Sequence, residues 1–422
     1  MKKTQQTVEI MAPAGSWEAL RAALQAGANS VYFGVEQLHM RAGSTQAFSL
    51  EDLPTIAEQC KLSNTKSYLT LNSVLYNHDL KIMRKICDCA KAAGISAVIA
   101  SDVAAIQYAH SIAFPVHIST QANVCNVEAL KFFAPFSDVV VLARELTLGQ
   151  IKEICATIQE ENIRGKNGEL IKVEIFVHGA LCVAVSGKCF MSLATQNASA
   201  NRGACLQNCR RAYRVIDEET GEELLLENKY VMSPKDLCCI GFIDQIIASG
   251  VSVLKIEGRG RAPEYVFKTT KAYHEAVESV LNGTYTPEKI AAWTHELETV
   301  FNRGFWHGGY YLGKQLGEWS GDYGSQATQV KSYVGKVQKY YPKVQVAEFL
   351  IEADAIYLND EIIITGKTTG LVQSKIESMR VNDLPAAKAE RGAVVTFPLS
   401  KPIHHNDKLY VIKAAPQQVR VS

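Results

Sequence analysis

Eight short apolar runs recur along the first two-thirds of the chain, each followed by small or polar residues and then an amphipathic stretch. They are VEIMA (8–12), SVYFG (30–34), SYLTLN (67–72), AVIAS (97–101), VHIST (116–120), DVVVLAR (138–144), VEIFVHG (173–179) and SVLKIEG (252–258). Between them lie helical patterns such as SWEALRAALQAGA, DLKIMRKICDCAKAAG, TLGQIKEICATIQEE and KDLCCIGFIDQIIASG. Strands this apolar, alternating with helices, require a parallel sheet covered on its faces. Eight such units predict an α/β fold, a TIM-type (β/α)8 barrel, rather than an open sheet. A dinucleotide-binding open sheet would carry several glycines after its first strand, and APAGSWEAL has one.

In a parallel barrel the residues just past the strands meet on one rim, where sites of this fold are built. That rim receives His39 and Arg41, then Asn72, then Ser119, Gln121 and Asn123, then Arg144 and Glu145. His178 ends the seventh strand, and Lys255, Glu257 and Arg259 come with the eighth. Arginine, histidine, asparagine and carboxylate in one ring suit a small anionic ligand. Ser101, Asp102 and Thr147 read instead as helix caps or turn residues.

The last unit breaks the rhythm. Residues 180–232 are too long for an ordinary strand–helix loop and are therefore read as a functional insertion. They hold Cys182, Cys189, Cys205 and Cys209, flanked by Gly179, Gly187 and Gly203, which let backbone close on a bulky centre. The opening MKKTQQTVEIMAPAGS has no apolar signal region, and no run is long enough to span a bilayer; a cytoplasmic, membrane-free protein is expected. In that compartment the 11 cysteines are metal ligands, redox groups or buried thiols rather than disulfides. Cys60, Cys87, Cys89, Cys125 and Cys155 read as buried thiols. The four insertion thiols suit structural zinc or an iron–sulfur cluster, and the absence of tight CxxC knuckles favours the cluster. Cys238, at the start of a stretch read as helix, is an alternative to Cys209 as fourth ligand.

Beyond residue 329 the pattern changes to alternation, in YVGKVQKYYPKVQVAEFL, AIYLNDEIIITG, GAVVTFPLS and DKLYVIK. This predicts a small C-terminal all-β barrel over 329–422, joined by a linker (311–328) to a barrel domain over 1–310. A chain of 422 residues, 47% hydrophobic, supplies both cores. Its net charge of +1 means that nucleic-acid binding must rest on local patches. Two stand out: Lys331, Lys336, Lys339 and Lys343 with Tyr333, Tyr340 and Tyr341, and Arg210, Arg211 and Arg214 beside the cysteines. Interleaved cations and rings suit RNA.

EIFVHGALCVAVSGKCFMS reads E-x-F-x-x-G-x-x-C and then G-x-C-x-x-S. With APAGSWEALRAALQAGANSVYFG, TLNSVLYN, HISTQANV, VVVLARELTLGQI, NRGACLQNCRRAY, SPKDLC and LKIEGRGRAPEYV, it resembles peptidase family U32 over about the first 310 residues. The resemblance implies a TIM-type barrel carrying a cysteine-bound 4Fe-4S cluster, with Cys182, Cys189, Cys205 and Cys209 as ligands. It implies an oxygen-independent RNA hydroxylase that forms 5-hydroxyuridine at the tRNA wobble position with prephenate as hydroxyl donor. An rRNA hydroxylase and a collagenase-like peptidase are the alternatives the family offers. In the first reading Arg41, Arg144 and Arg259 would grip the carboxylates of the anionic donor, and His178 and Glu257 would transfer protons. The peptidase reading finds no HExxH, and a Cys182–His178 pair would have to be free of any cluster.

Overall fold

The computed structural model describes residues 8–43, 48–224, 232–313, 319–320 and 324–416. Seven strands pair in sequence order, all parallel: β1 (Glu9–Pro13), β2 (Ser30–Phe33), β3 (Lys66–Leu71), β4 (Ala97–Ala100), β5 (Val116–Ile118), β6 (Val139–Val141) and β7 (Lys172–Gly179). After a long insertion, β8 (Asp236–Cys238) runs back antiparallel to the end of β7. Then β9 (Val253–Ile256) enters between β7 and β1, parallel to both, and closes an eight-stranded barrel. Outside the ring, β10 (Phe305–His307) lies parallel to β8.

Alternation decides which side chains fill the barrel and which face its helices. Met11, Tyr32, Tyr68, Ile99, Val139 and Val253 form one buried cluster. Their neighbours Ile10, Ala12, Val31, Phe33, Leu69 and Leu254 join a larger cluster under the helices. Those helices are α1 (Trp17–Gln25), α2 (Leu53–Leu62), α3 (Leu80–Ala92), α4 (Val103–Ser111), α5 (Val127–Phe133) and α6 (Leu148–Glu160). Beyond the short α7 (Met191–Gln196) of the insertion come α8 (Ile243–Ala248), α9 (Pro263–Leu281) and α10 (Pro287–Glu298). Local chemistry starts them. The Ser16 hydroxyl accepts from the Ala19 amide, the Asp102 carboxylate from the Ala104 amide, and Thr147 with Gln150 forms a capping box. α3 buries Met83, Ile86, Cys87 and Ala90, an i, i+3, i+4, i+7 stripe. None of the helices among the described residues is long and apolar enough to cross a membrane.

Three expectations change. Asp236–Cys238, read as the start of a helix, is strand β8, and helix resumes only at Ile243. Pairing of Leu237 with Gly179 and of Cys238 with His178 overrides the helical pattern. Cys60, Cys87 and Cys155 are buried, and burial pushes each thiol up to about 12. Cys125, expected among them, is exposed on the loop before α5, where its thiol donates to the Asn123 carbonyl at 3.2 Å; Cys89 is only half-buried.

The C-terminal part is an antiparallel sheet built from β11 (Gln329–Tyr341), β12 (Val346–Ile351), β13 (Glu361–Gly366), β14 (Gly370–Lys375), β15 (Val394–Pro398) and β16 (Lys408–Ala414), with two short edge strands. It wraps its own core of Val334, Val337, Phe349, Ile364, Phe397 and Leu409, in which the Phe349 and Phe397 rings stack at 4.4 Å. The sheet docks on α1 and α9. Ala22 packs with Ile363, Leu371 and Phe267, and the Gln25 amide bonds both Thr369 O and Leu371 N, at 2.9 and 3.0 Å. The third change falls on the lysine strip of β11. Lys331 pairs with Glu264 of α9 at 2.8 Å and Lys336 with Glu352 at 2.6 Å, while the Tyr340 hydroxyl donates to Leu399 O. Half of that strip is neutralised by the protein itself.

Candidate active site

The C-terminal ends of the barrel strands and the insertion enclose a cavity of about 250 Å³. A larger, open hollow of about 1580 Å³ lies at the opposite end, around Glu9, Lys66 and Lys172, the face where this fold places stability rather than chemistry. The insertion is fastened over the mouth by four barrel loops. Gly43 N donates to Gly203 O at 3.1 Å, Val74 N to Asn201 O at 3.1 Å, Asn123 Nδ2 to Ser186 O at 3.2 Å and Arg144 Nη1 to Ala180 O at 3.0 Å. Arg202 grips Asp79 at 2.7 and 3.2 Å and lies over the Tyr76 ring. Gly203 sits at φ +90, where a Cβ would stand 2.4 Å from His39 O, and Gly187 at φ +71, where it would meet Gln121 at 2.8 Å. These glycines let the insertion close onto the barrel.

Cys182, Cys189, Cys205 and Cys209 all line this cavity. Cys182 is exposed and the other three are half-buried. Burial raises the Cys209 thiol, Arg210 opposes it, and the Cys182, Cys205 and Cys189 thiols add to the rise, so the four sulfurs sense one another. Cys238 is fully buried beside Tyr273, its thiol pushed up to about 11 by burial, and it does not line the cavity. Among the described residues no three His, Cys, Asp or Glu side chains converge as ligands of a single metal ion. Four sulfurs spread around a cavity fit a polynuclear iron–sulfur group better than one tetrahedral zinc.

Seven cationic side chains line the same space: Arg41, Arg144, Arg210, Arg259, Arg261, Arg303 and Lys255. Among the described residues one carboxylate, Glu257, lines it with them, and no histidine does. Arg41 Nη2 meets Glu257 Oε1 at 2.9 Å. Burial works to raise the Glu257 carboxyl, but Arg41 and Arg261 outweigh it and hold the group at about 2. Lys255 Nζ bonds Glu174 Oε1 at 2.7 Å in an almost solvent-free pair, 4.5 Å above the Tyr32 ring. Burial draws the Lys255 ammonium down and the Glu174 carboxyl up. Arg303 pairs with Asp236 at 3.3 Å. Arg259 bonds Thr70 Oγ1 and contacts His39 Nδ1 at 3.3 Å; burial lowers it to about 10. Arg144 lies 4.1 Å above Phe176 with its buried Nε unpartnered. On one wall Asn72 Nδ2 donates to Ser119 Oγ at 3.1 Å and to Gln121 Oε1 at 2.9 Å. Cations exceed the carboxylates that face them, so the cavity favours an anion.

Of the residues singled out from sequence, Arg41, Arg144, Arg259, Glu257 and the four insertion cysteines meet at this cavity. His178 does not. It is 1% exposed, its ring sits 5.5–5.9 Å from those of Tyr265, Tyr273 and Phe305, and burial holds it at about 3. A sealed, neutral imidazole cannot exchange protons with a ligand in the cavity. Nor is Glu257 tuned for proton transfer near neutrality, since Arg41 keeps it ionised. The Lys255–Glu174 pair escaped sequence reasoning, although a signal existed: Glu174 interrupts the apolar run VEIFV, and a carboxylate buried there requires a cationic partner.

His39, His117 and His178 are all buried, with pKa values held near 3 chiefly by burial. The unfolded chain takes up these protons at about 6.5, so stability present above that pH is lost as the pH falls toward 3. Each histidine contributes roughly 1.4 kcal/mol per pH unit in that window. The urea midpoint should therefore fall steeply between pH 7 and 5, and His178→Phe should flatten the decline.

The sequence profile of peptidase family U32 matches residues 15–321. A protein named collagenase from Porphyromonas gingivalis is 53% identical, covering 95% of this chain and 97% of its own. A tRNA hydroxylation protein P from Helicobacter pylori is 33% identical and covers 71% of each chain. A 23S rRNA 5-hydroxycytidine synthase from Escherichia coli is 32% identical over 65% of this chain and 40% of its own.

Proposed function

This chain belongs to peptidase family U32, and from that premise we propose that it is an iron–sulfur-dependent RNA hydroxylase. The specific reading is formation of 5-hydroxyuridine on tRNA, with prephenate as hydroxyl donor. The observation that carries it is the sharing of one cavity by four thiols and seven cations. Relatives named for tRNA and rRNA hydroxylation support it. Cys182, Cys189, Cys205 and Cys209 would hold the cluster, which would supply redox and Lewis-acid chemistry beside the cationic wall.

Arg144 and Arg259 offer guanidinium forks to the carboxylates of a dianionic donor. The Arg41–Glu257 pair fixes the orientation of both partners, and the Asn72–Ser119–Gln121 network offers amide and hydroxyl groups to the edge of a pyrimidine. The insertion covers part of the cavity mouth, fastened there by the barrel loops. The name collagenase borne by a close relative would call for a nucleophile with a base. His178, the histidine nearest Cys182 in sequence, is enclosed by aromatic rings away from the cavity that Cys182 lines.

Protein purified without oxygen should convert unmodified tRNA to tRNA carrying 5-hydroxyuridine only when prephenate is added, as read by mass spectrometry of digested nucleosides. Product on an rRNA fragment instead would move the substrate within the same chemistry. Cleavage of gelatin by iron-free protein, with no modified nucleoside, would overturn the reading.

A further inference from the structure

The lip of the cavity has a composition unlike the rest of the chain. Across the whole sequence 44 cationic residues balance 43 acidic ones. Residues 180–216 carry Lys188, Arg202, Arg210, Arg211 and Arg214 and not one Asp or Glu. The same stretch exposes large apolar side chains that a free surface would rarely display together, among them Phe190, 64% exposed, with Val185, Leu206 and Tyr213. Tyr76, on the barrel loop that Arg202 clamps, is 52% exposed. The Tyr213 ring is held in place, its hydroxyl donating to Asn208 O at 2.7 Å.

Asp79 pairs with Arg202 and the exposed Glu223 lies 3.7 Å from Arg214, but Lys188 and Arg211 have no acid beside them among the described residues. Rings alternating with such cations match a strand of nucleotides: every base has a face to stack and every phosphate a charge. A protein-docking face also favours aromatic rings and arginine, so the excess of positive charge, not the rings, favours RNA here. The cavity behind the lip, about 250 Å³, admits single ring systems and not a duplex, so a target base must leave its stack to enter. The neighbours of an extruded base then need a surface of their own.

We propose that this lip is the platform for the nucleotides flanking the modified base. Phe190 and Tyr213 stack bases, and Lys188, Arg211 and Arg214 take phosphates. The assignment rests on the RNA-modifying reading and adds to it the side chains that hold the neighbours of the modified base.

The test is fluorescence anisotropy of the full-length protein with a labelled hairpin-loop RNA and a duplex of equal length. Steady-state kinetics on tRNA and prephenate run alongside. The loop should bind more tightly than the duplex. Phe190→Ala and Tyr213→Ala should each weaken loop binding by roughly tenfold and raise KM for tRNA, leaving KM for prephenate unchanged. Phe190→Trp should restore binding, because the larger ring also stacks. Arg211→Ala with Arg214→Ala should reduce the slope of log affinity against log salt by about 0.7 for each phosphate no longer neutralised. Equal affinity for duplex and loop would overturn the proposal, as would unchanged KM for tRNA in Phe190→Ala and Tyr213→Ala. If the wild type still made hydroxylated nucleoside in those cases, the lip assignment would fall while the functional reading stood. Loss of self-association or of a protein complex in Phe190→Ala, without loss of RNA affinity, would reassign the surface to a protein partner.

Discussion

Replacing Cys182, Cys189, Cys205 or Cys209 by serine is expected to give a folded protein with no iron–sulfur cluster and no hydroxylation, whereas Cys238→Ser keeps both. The four thiols line one cavity, and the segments that bear them are held by hydrogen bonds and an ion pair to four barrel loops. A hydroxyl at one position therefore removes a ligand without releasing the insertion. Outer partners of a metal centre already cost about 10–100-fold when removed, so removal of a direct ligand should exceed that. Cys238 lies fully buried at the end of β8, and its replacement is felt as packing. The measurement is iron and acid-labile sulfide per chain, about four of each in oxygen-free wild type, with circular dichroism reporting the fold. Iron kept by Cys209→Ser but lost by Cys238→Ser would reverse the ligand assignment. Zinc in place of iron would remove the proposed chemistry.

The second large effect concerns the barrel floor. Glu174→Ala leaves the Lys255 ammonium buried without its counter-ion, and breaking such a pair costs roughly 3–5 kcal/mol. For a domain of this size that corresponds to a fall in Tm of about 10 °C. Glu174→Leu combined with Lys255→Met replaces both charges by apolar groups of similar length and should recover most of the stability. The double variant should nevertheless stay inactive, because a cation has left the cavity wall. A double variant as unstable as the single one would show that burial of the pair is not what Lys255 needs. Full activity in the double variant would remove Lys255 from the site.

Much of the fold was legible because strands buried on both sides leave apolar runs, and the residues after them must share a rim. The site was legible in so far as it depended on strand ends: Arg41, Arg144, Glu257 and Arg259 reach the cavity for that reason. What failed depended on partners distant in sequence. His178 stands four residues before Cys182, yet at the end of β7 its ring turns to Tyr273, 95 residues later. DLCCIGFIDQIIA carries a helical pattern, and only the free edge beside β7 turns its first residues into β8. The lysines of β11 read as an open cationic strip because neither Glu264 nor Glu352 can be assigned to them before the sheet is in place.

The docking of the C-terminal sheet also has a mechanical meaning. α1 follows the first strand of the barrel and α9 the last, so the gap they straddle is the seam at which β9 meets β1 and the circle is joined. Ile363, Leu371, Thr369 and Lys331 bind to both sides of that seam through Ala22, Gln25, Phe267 and Glu264. The sheet thus acts as a buckle on a belt, and a barrel stripped of it would open first where its two ends were sewn together.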